Sequence, residues 1–397
     1  MNEITLKIGK NGTYKNISKL AKTVSVTGRR GDAPRTLSAT LSDSEQFARA
    51  SANSGEGQQV FFYFNKKEIF RGLLMTDSRN SQRTLSIKAY DNCIYLCNNK
   101  SSFSFKKKSA TYIFKYCLKK LGLPLGSAVK TGHTIGELVK KNTTYWDVIE
   151  DALSQTYYAT GIRYYVSSEK GKIYLRKRQE QTSMPILSLD SNIQSYDMSR
   201  SIYKTRTRLT LITSKKAKKG SFVNSSLEKK IGKFADIQTV DGDVTKTELN
   251  QKISTFKKDT SIVDQELSVT ATGDMRCISG KCAYVQISPI WAKRIMFIEE
   301  DTHTFENGHH KMSLKLSYEK TSGTSSGGSS SSEGKVPKYK VTANSGLNLR
   351  SAPNAGVIAT MPKGTVVTSD GESKNGWYHV KYDGKWGYAY SSWLTQV

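Results

Sequence analysis

The sequence predicts a β-dominated α+β protein that is divided into several domains. Strand patterns fill much of the first hundred residues and return from Glu266 to Tyr318, whereas helical periodicity is confined to short stretches between them. A run of glycine and serine, Thr321 to Gly334, then precedes a last module of residues 336–397. With 397 residues and 37% hydrophobic content, the chain can form more than one packed core.

Residues 1–100 are predicted to form a first β domain. From Val60 to Leu96 the chain reads VFFYFNKKEIFRGLLMTDSRNSQRTLSIKAYDNCIYL, in which β-rich runs alternate with short polar breaks. Asn65-Lys66-Lys67 is expected to turn one hairpin, and the segment Ser78 to Gln82 another. The pattern therefore predicts three antiparallel strands.

Residues 101–182 are predicted to form a small α/β unit. One helical face is formed by apolar residues that recur at intervals of three and four: Ala110, Ile113, Phe114, Cys117, Leu118 and Leu121. A second helix is expected from Tyr145 to Thr156, capped by Thr143 or Thr144, with Trp146, Ile149 and Leu153 facing inward. Ile162–Val166 and Lys172–Arg176 follow as a hairpin around Glu169-Lys170-Gly171.

Residues 183–320 are predicted to form a second β domain with a helical insertion. A long strand from Thr205 to Thr213 precedes a basic loop and a helix. The helix starts with a capping box, in which Thr245 and Glu248 satisfy each other's backbone N–H groups. The strand patterns ELSVTA, CAYVQI, RIMFIEEDTHTF and KMSLKLSYE complete this region.

Residues 321–335 form a Gly/Ser linker that cannot bury enough apolar surface to become ordered, so a flexible tether is expected there. The module after it, residues 336–397, has short strands punctuated by glycine-rich turns, which is typical of a small β-barrel. Asp383-Gly384 is its clearest signal for a tight hairpin turn.

The charge of the chain favours anionic partners without choosing among them. There are 61 Lys and Arg against 34 Asp and Glu, which gives a formal charge of +27. The lysine runs Lys106–Lys108 and Lys215–Lys219 lack interleaved aromatic residues, so they are interpreted as solvated loops. Sequence-specific binding of nucleic acid is not expected.

No segment of the sequence indicates export or membrane insertion. The N-terminus has no apolar run of signal-peptide length, and no segment approaches the ~20 apolar residues that span a bilayer. Five cysteines, an odd number, do not resemble a secreted disulfide framework, so reduced thiols are expected.

Candidate catalytic and metal-binding groups are sparse. Cys277 and Cys282 are interpreted as lying inside strand patterns, and neither resembles the nucleophile of wall-cleaving peptidases. Cys93, Cys117 and Cys282 are predicted to be small core residues.

Two clusters of polar side chains leave alternatives open. His303, His309 and His310 could approach each other across a hairpin turned at Glu306-Asn307-Gly308, but without an HExxH or CxxC spacing they favour exposed or hydrogen-bonded turn histidines over a metal site. Asp147, Glu150 and Asp151 share one helical face; paired carboxylates suit glycosidases, but a solvated face is favoured. No enzyme activity, metal or cofactor is therefore predicted.

Four stretches of the chain resemble one family of proteins. Ile69–Leu96, Thr134–Leu153, Ser226–Val240 and above all Asp301–Glu319 (DTHTFENGHHKMSLKLSYE) resemble the baseplate hub proteins of contractile phage tails. The pattern is similar to the XkdQ/YqbQ type of defective-phage elements and phage-tail-like bacteriocins of Gram-positive bacteria. The resemblance covers residues 1–320.

This resemblance implies a non-enzymatic structural protein. Both β domains would be tail-tube-like, and a homotrimer would present six such domains to a sixfold tail tube. Its partners would be tail tube, spike and baseplate proteins in a particle that is assembled in the bacterial cytoplasm and released by lysis. Gly72, at a close backbone approach or a bulge, and Asp91, at a strand end, would be structural positions.

The last module resembles the bacterial SH3-like domain through Leu347–Pro353, Gly376–Val380 and Gly384–Tyr388. Such domains commonly bind peptidoglycan in a shallow groove with aromatic walls. The resemblance implies ligand contacts by an aromatic set and a polar pair: Trp377, Tyr388, Tyr390, Asn348 and Arg350. The alternative is that the aromatic rings serve as core and that Arg350 braces its loop.

The sequence thus favours a baseplate hub with an appended module that binds bacterial cell wall or docks a neighbouring subunit. An alternative is a cell-wall-binding adhesin or targeting subunit that works outside any assembly, through the SH3-like domain alone. The lack of an export signal disfavours that alternative.

Overall fold

The computed structural model of the chain describes residues 3–43, 57–178, 184–240, 242, 244–290, 292–318, 338–374 and 376–396. The predicted linker, residues 321–335, lies outside these ranges. Two compact units contain the described residues: Met1–Tyr284 with Met296–Ser322, and Val285–Ile295 with Gly323–Val397. No helix in the described part of the chain is long and apolar enough to cross a bilayer.

The described part of the first region consists mainly of antiparallel strands, as its sequence predicts, with one 3-10 turn at Ser18–Leu20 and one short helix. The elements are β1 (Ile4–Lys10), β2 (Thr13–Asn16), β3 (Ala21–Arg29), β4 (Asp32–Ser42), β5 (Gln59–Phe64), β6 (Lys67–Arg79), β7 (Thr84–Asp91) and α1 (Ile94–Asn98). Asn65 and Lys66 form the turn between β5 and β6 with positive φ angles of 47° and 64°, as a two-residue hairpin requires. Both predicted hairpins are confirmed.

The glycine predicted at a close backbone approach is confirmed. Gly72 faces Tyr90 of the neighbouring strand, and a Cβ atom on it would lie 2.2 Å from the Tyr90 carbonyl oxygen. At the end of β7 the Asp91 carboxylate accepts a hydrogen bond from the Cys93 backbone N–H at 2.8 Å. Burial raises the pKa of Asp91 to about 6.

The second region combines helices with two small sheets. Its elements are β8 (Lys100–Ser109), α2 (Ala110–Lys120), β9 (Leu125–Ala128), β10 (Thr134–Thr144), α3 (Tyr145–Thr160), β11 (Tyr164–Glu169) and β12 (Lys172–Lys177). β8 pairs with β10, and β12 lies between β11 and β9. All the predicted inward residues of the two helices are buried except Leu121, which is partly buried at the end of α2.

Helix α3 begins where predicted and ends later. Thr144 is the capping residue, because its hydroxyl accepts the Asp147 backbone N–H at 2.9 Å. The helix continues to Thr160, four residues past the predicted end, and stops at Gly161, which adopts a left-handed conformation with φ of 70°. The sequence between Thr156 and Thr160 has no helix breaker, which explains the extension.

The third region adds six strands to the first and forms a small sheet of its own. Its elements are β13 (Ile186–Ser188), β14 (Ile193–Ser201), β15 (Arg208–Ile212), β16 (Lys218–Val223), α4 (Ser225–Ile231), β17 (Ala235–Thr239), α5 (Lys246–Asp259), β18 (Asp264–Thr272), β19 (Cys282–Ile287), β20 (Ala292–Glu306) and β21 (His309–Ser317). The capping box of Thr245 and Glu248 at the start of α5 is confirmed.

One sheet of thirteen strands contains strands of both predicted β regions. Its order is β14-β18-β21-β20-β3-β4-β7-β6-β5-β1-β2, and β19 pairs with β13 and β20. The regions meet where β20 pairs antiparallel with β3, with His303 opposite Val26. The inner residues of the first region form one apolar core together with Phe305 of β20. The division of this sheet into two tube-like domains, and the predicted boundaries, stay predictions.

The insertion between β14 and β18 is larger than predicted, with two helices and a three-stranded sheet ordered β16-β15-β17. The strand predicted at Thr205–Thr213 is shorter in the structure, Arg208–Ile212. Its first predicted residues instead form hydrogen bonds with neighbouring loops. The Thr205 hydroxyl donates to the Ile262 carbonyl at 2.7 Å, and the Thr207 hydroxyl accepts the Phe234 N–H at 2.9 Å. One face of the small sheet packs on α5 through Leu209, Leu211 and Phe256.

The C-terminal module is a seven-stranded antiparallel sheet. Its strands are β22 (Lys338–Val341), β23 (Leu347–Arg350), β24 (Val357–Met361), β25 (Val366–Lys374), β26 (Trp377–Tyr382), β27 (Lys385–Tyr390) and β28 (Leu394–Gln396), ordered β24-β23-β27-β26-β25-β22-β28. Asp383 and Gly384 form the predicted tight turn, both with positive φ. Nine buried residues, among them Leu349, Met361 and Val380, give the module a core of its own. Closure into a barrel stays a prediction.

Candidate functional site

A groove of about 770 Å³ opens on one side of the C-terminal module. Its floor is β23, and its walls are the loop before β23 and the ends of β26 and β27. Two glycines let these segments approach closely. A Cβ on Gly387 would lie 2.6 Å from the Arg350 carbonyl oxygen, and Gly346 has a φ of 81° at the start of β23. The groove therefore depends on backbone positions that larger residues could not occupy.

Three aromatic rings line the groove. Trp377 and Tyr390 are directly opposite each other on β26 and β27, with ring centroids 5.3 Å apart in an edge-to-face arrangement. Trp393 follows in a short 3-10 turn and is 50% exposed, while Tyr390 is 42% exposed. Rings that stay exposed on the wall of a groove can stack on a sugar or peptide ligand.

The polar lining consists of amides and one cation. Asn344, Asn348 and Asn354 supply the amides, and Arg350 supplies the charge. The Asn348 side-chain oxygen accepts from the Thr360 hydroxyl at 3.0 Å, so its amide N–H group is turned toward other acceptors. The Arg350 guanidinium donates to the Ala355 carbonyl at 2.7 Å. Arg350 thus braces its loop, as the alternative interpretation held, with donors left over for a ligand.

The structure brings four of the five predicted site residues to this groove. Asn348, Arg350, Trp377 and Tyr390 line it, whereas Tyr388 does not. The Tyr388 ring lies beside the groove, 4.8 Å from the His379 ring of the neighbouring strand β26. Whether any of the five contacts a ligand stays a prediction.

Sequence reasoning missed part of this surface. Trp393, Asn344 and Asn354 also line the groove, and an aromatic stripe continues from it along β26 and β27. In that stripe His379 stacks on Trp386 at 5.1 Å, and the Lys381 ammonium lies 5.7 Å from the Trp386 ring. The tight turn at Asp383-Gly384 fixes this register, so alternation along KWGYAY could have indicated the stripe.

A second polar cluster lies inside the main sheet. Asp301 is fully buried and accepts two hydrogen bonds from Arg35, at 2.8 and 2.6 Å, and one from the Ser279 backbone N–H at 2.6 Å. Burial opposes the charge of Asp301, but the Arg35 guanidinium holds its pKa below the usual value. The Asp301 carboxylate of this ion pair is fully buried, and the Arg35 side chain is 18% exposed.

The histidines of this region confirm a prediction in part. The hairpin turn at Asn307-Gly308, the approach of His303 to His310 across it and the exposure of His309 are as expected, but His303 and His310 lie in the strands rather than at the turn. Both rings are nevertheless buried in the sheet, because both face inward, from β20 and β21. The His303 Nε2–H donates to the Cys277 carbonyl at 2.8 Å, which leaves Nδ1 to accept from His310 at 2.9 Å.

Burial lowers the pKa of His303, and it lowers the pKa of His310 to about 4, so both rings stay neutral. Among the residues that the structure describes, no group of three or more His, Cys, Asp or Glu side chains is placed to hold a metal ion.

The cysteines and the helical carboxylates lie in separate places in the described part of the chain. Cys277 lies in the loop between β18 and β19 rather than in a strand, and burial raises the pKa of its thiol. Cys93, Cys117 and Cys282 are buried, as predicted. Asp147 is exposed as predicted, whereas Glu150 departs from the solvated face because its side chain is half-buried close to Gly31. Burial there raises the pKa of Glu150 to about 7.

Comparison with known proteins gives consistent matches over most of the chain. A family model described as YQBQ-like matches residues 24–317, and a bacterial SH3 domain model matches residues 345–395. Phage-like element PBSX protein XkdQ of Bacillus subtilis (strain 168) is 33% identical over 301 residues, which cover 75% of this chain and 92% of that protein. YqbQ of the same strain is 31% identical over 302 residues with the same coverage.

Solved structures show the same fold at low sequence identity. The 43 kDa tail protein of prophage MuSo2 from Shewanella oneidensis superposes with a TM-score of 0.61 at 15% identity, over 80% of this chain and 98% of that one. The E. coli c3393 protein, a type VI secretion component similar to the T4 bacteriophage tail proteins gp27 and gp5, gives 0.53 at 11% identity, over 98% and 92%. The chain therefore has the fold of phage tail proteins, carries a bacterial SH3 domain in its C-terminal region, and belongs to the YQBQ-like family.

Proposed function

We propose that this chain is a structural baseplate hub protein of a contractile phage tail or phage-tail-like particle, where it joins the tail tube to the spike. The observation that carries the proposal is the family match over residues 24–317, together with a tail-protein fold that covers 80% of the chain. The relative XkdQ belongs to a phage-like element, which supports a particle as the setting for this chain as well.

The proposed assembly is a ring of three copies. If residues 1–100 and 183–320 each supply a tube-like β domain, three chains offer six such domains to a sixfold tube. The partners would be tail tube, spike and baseplate proteins, and the particle would be assembled in the cytoplasm and released by lysis. The role is non-enzymatic, in keeping with the buried thiols of Cys93, Cys117 and Cys277.

The SH3 domain is proposed to bind the bacterial cell wall, with peptidoglycan as the ligand. Support comes from the groove, which combines the exposed rings of Tyr390 and Trp393 with three amides and the Arg350 guanidinium. This lining suits a polar ligand with flat faces, such as a sugar or a short peptide. Docking of a neighbouring subunit in the same groove is the other role consistent with the lining.

Deleting the gene in the bacterium that encodes it tests the hub role. Induced cells that lack the chain are expected to release no complete particles in negative-stain images, and the full chain supplied in trans should restore them. Complete baseplates on particles that lack the chain would overturn the proposal. Recovery of the chain from the surface of intact, unlysed cells would favour the adhesin instead.

A further inference from the structure

The small sheet of β15, β16 and β17 has a second face whose described residues are half-buried or exposed. Its inner face contacts α5 through Leu209, Leu211 and Phe222. Residues on the opposite face alternate with these, so the register identifies three rows across the sheet: Val223–Arg208–Ala235, Ser221–Thr210–Ile237 and Lys218–Ile212–Thr239. We call these nine residues the outer face.

The exposed apolar residues of the outer face lie on its two edge strands. Ile237 of β17 is 66% exposed and Val223 of β16 is 43% exposed, and the central strand β15 places Arg208, Thr210 and Ile212 between them. Phe234 extends the apolar area at one end, where its carbonyl accepts from the Thr207 and Arg208 backbone N–H groups and its ring is 40% exposed. Soluble proteins seldom leave such residues grouped on a flat sheet surface unless another molecule covers them.

The surroundings of the outer face are strongly basic. Residues 202–240 contain ten Lys and Arg against two Asp and Glu. Both acids are already engaged within the chain: Glu228 holds Arg208 in a two-point contact at 2.7 and 2.6 Å, and Asp236 accepts from Gln238 at 2.9 Å. Lys215, Lys216, Lys218 and Lys219 are all exposed around the β15–β16 turn.

We infer that the outer face docks an acidic protein that covers the exposed side chains of Ile237 and Val223 and whose carboxylates meet the lysines of the β15–β16 turn. Protein interfaces usually combine buried apolar contacts with charged residues at the rim. The rim charge selects a partner with a surplus of Asp and Glu, since opposite potentials steer association and exclude other partners. A second outer face does not meet this requirement, because the exposed lysines of the two β15–β16 turns would face each other.

Nucleic acid fits the surface less well. Phosphate contacts would use the lysines, but exposed Ile237 and Val223 offer neither a hydrogen bond to a phosphate nor an aromatic face for a base. Burying these side chains is favourable only against an apolar surface, which a protein partner supplies. The inference rests on the proposed function in one respect, that the chain works within a protein assembly.

The test uses the full chain within particles from the bacterium that encodes it. Ile237 is replaced by the photoreactive residue p-benzoylphenylalanine, and cross-linked products from the purified particle are identified by mass spectrometry. A cross-link to one protein, in a segment with a surplus of Asp and Glu, is expected. Ile237→Asp, and separately Lys218→Glu with Lys219→Glu, should lower the amount of that protein in the particle by about tenfold.

Matched controls alter equivalent residues elsewhere. Val139→Asp changes an exposed apolar residue of β10, and Lys106→Glu with Lys107→Glu reverses the other lysine run; both should leave the partner bound. A cross-link to nucleic acid, to a second copy, to a segment without acidic surplus or to nothing overturns the inference, as does normal partner content in both outer-face variants. If particles assemble but the outer face gives no cross-link, the docking inference fails and the hub role stands. The hub role is tested separately, by the images from cells that lack the chain.

Discussion

Asp301 is a carboxylate that the main sheet encloses, and its charge depends on Arg35 and the Ser279 N–H. Asp301→Asn would remove the charge and leave a buried guanidinium without its counterion. Breaking a buried ion pair in this way costs about 3–5 kcal/mol. We therefore expect a large loss in the free energy of unfolding, measured by denaturant titration of the full chain.

The exposed ion pair of Arg29 and Asp32 serves as the control for that prediction. Its two side chains lie 3.2 Å apart in solvent, so Asp32→Asn should cost less than about 1 kcal/mol. Equal losses for Asp301→Asn and Asp32→Asn would mean that the Asp301 site contributes no more than a surface contact.

His303 and His310 predict a fall in stability toward acid pH. Burial depresses the pKa of His310 to about 4, so the unfolded chain, with a pKa near 6.5, takes up the proton first as the pH falls. The contribution of the neutral His310 ring to the free energy of unfolding is fully present above about pH 6.5. It is lost as the pH falls from there to about 4, at up to ~1.4 kcal/mol per pH unit. Melting temperatures measured across this range should show the loss.

A variant separates this effect from other titrating groups. His310→Gln should flatten the decline, whereas His309→Gln, at the exposed turn, should leave it unchanged. Asp91, whose pKa burial raises to about 6, contributes in the opposite direction and equally in all three proteins. An unchanged slope in His310→Gln would show that this ring does not titrate as inferred.

The burial of these histidines could have been predicted from the sequence. In DTHTF the residues Asp301, His303 and Phe305 alternate with threonines, so a strand that buries Phe305 also buries the other two. Their position beside a turn suggested exposure instead. What the sequence could not supply was Cys277, whose carbonyl meets His303 from a loop 26 residues away.

At the scale of elements, the close approach of β6 and β7 depends on Gly72. Gly72→Ala would place a methyl group 2.2 Å from the Tyr90 carbonyl oxygen, and backbone in the middle of a sheet cannot move aside cheaply. A loss of about 1–3 kcal/mol is expected from such overpacking. Gly136→Ala is the control, because nothing lies within 4 Å of its added methyl. A fully stable Gly72→Ala protein would contradict this pairing of β6 with β7.

The groove of the SH3 domain gives a prediction about binding. Tyr390→Ala and Trp393→Ala should reduce co-sedimentation of the full chain with Gram-positive peptidoglycan, since both rings line the groove and are exposed. Their effect on melting temperature should be small by comparison. Tyr388→Ala, outside the groove, should reduce binding less. Equal losses of binding and stability would assign these rings to the core.

The sequence predicted a helix or a hairpin correctly where the residues that indicate it lie within that one element. The periodicity from Ala110 to Leu118 and the turns at Asn65-Lys66 and Asp383-Gly384 were sufficient because each signal lies within one helix or one hairpin. The groove was only partly predictable. Asn344 and Trp393 reach it from a loop and a 3-10 turn, where no periodicity indicates the direction of a side chain.

At the scale of the whole molecule, the pairing of β3 with β20 decides the architecture. Those strands are separated by more than 260 residues, and alternation along a strand identifies its buried face but not its partner. The sequence therefore predicted two β regions and could not predict that they share one sheet. Family resemblance supplied the assembly, which no periodicity encodes.

The proposed ring of three chains can be seen in a cryo-electron microscopy reconstruction of the purified particle. Three copies of this chain are expected in a ring at the baseplate end of the tube, with the β strands of residues 1–100 and 183–320 facing the tube. A reconstruction with this chain in sixfold or single copy at that position, or without it, would rule out the proposed ring.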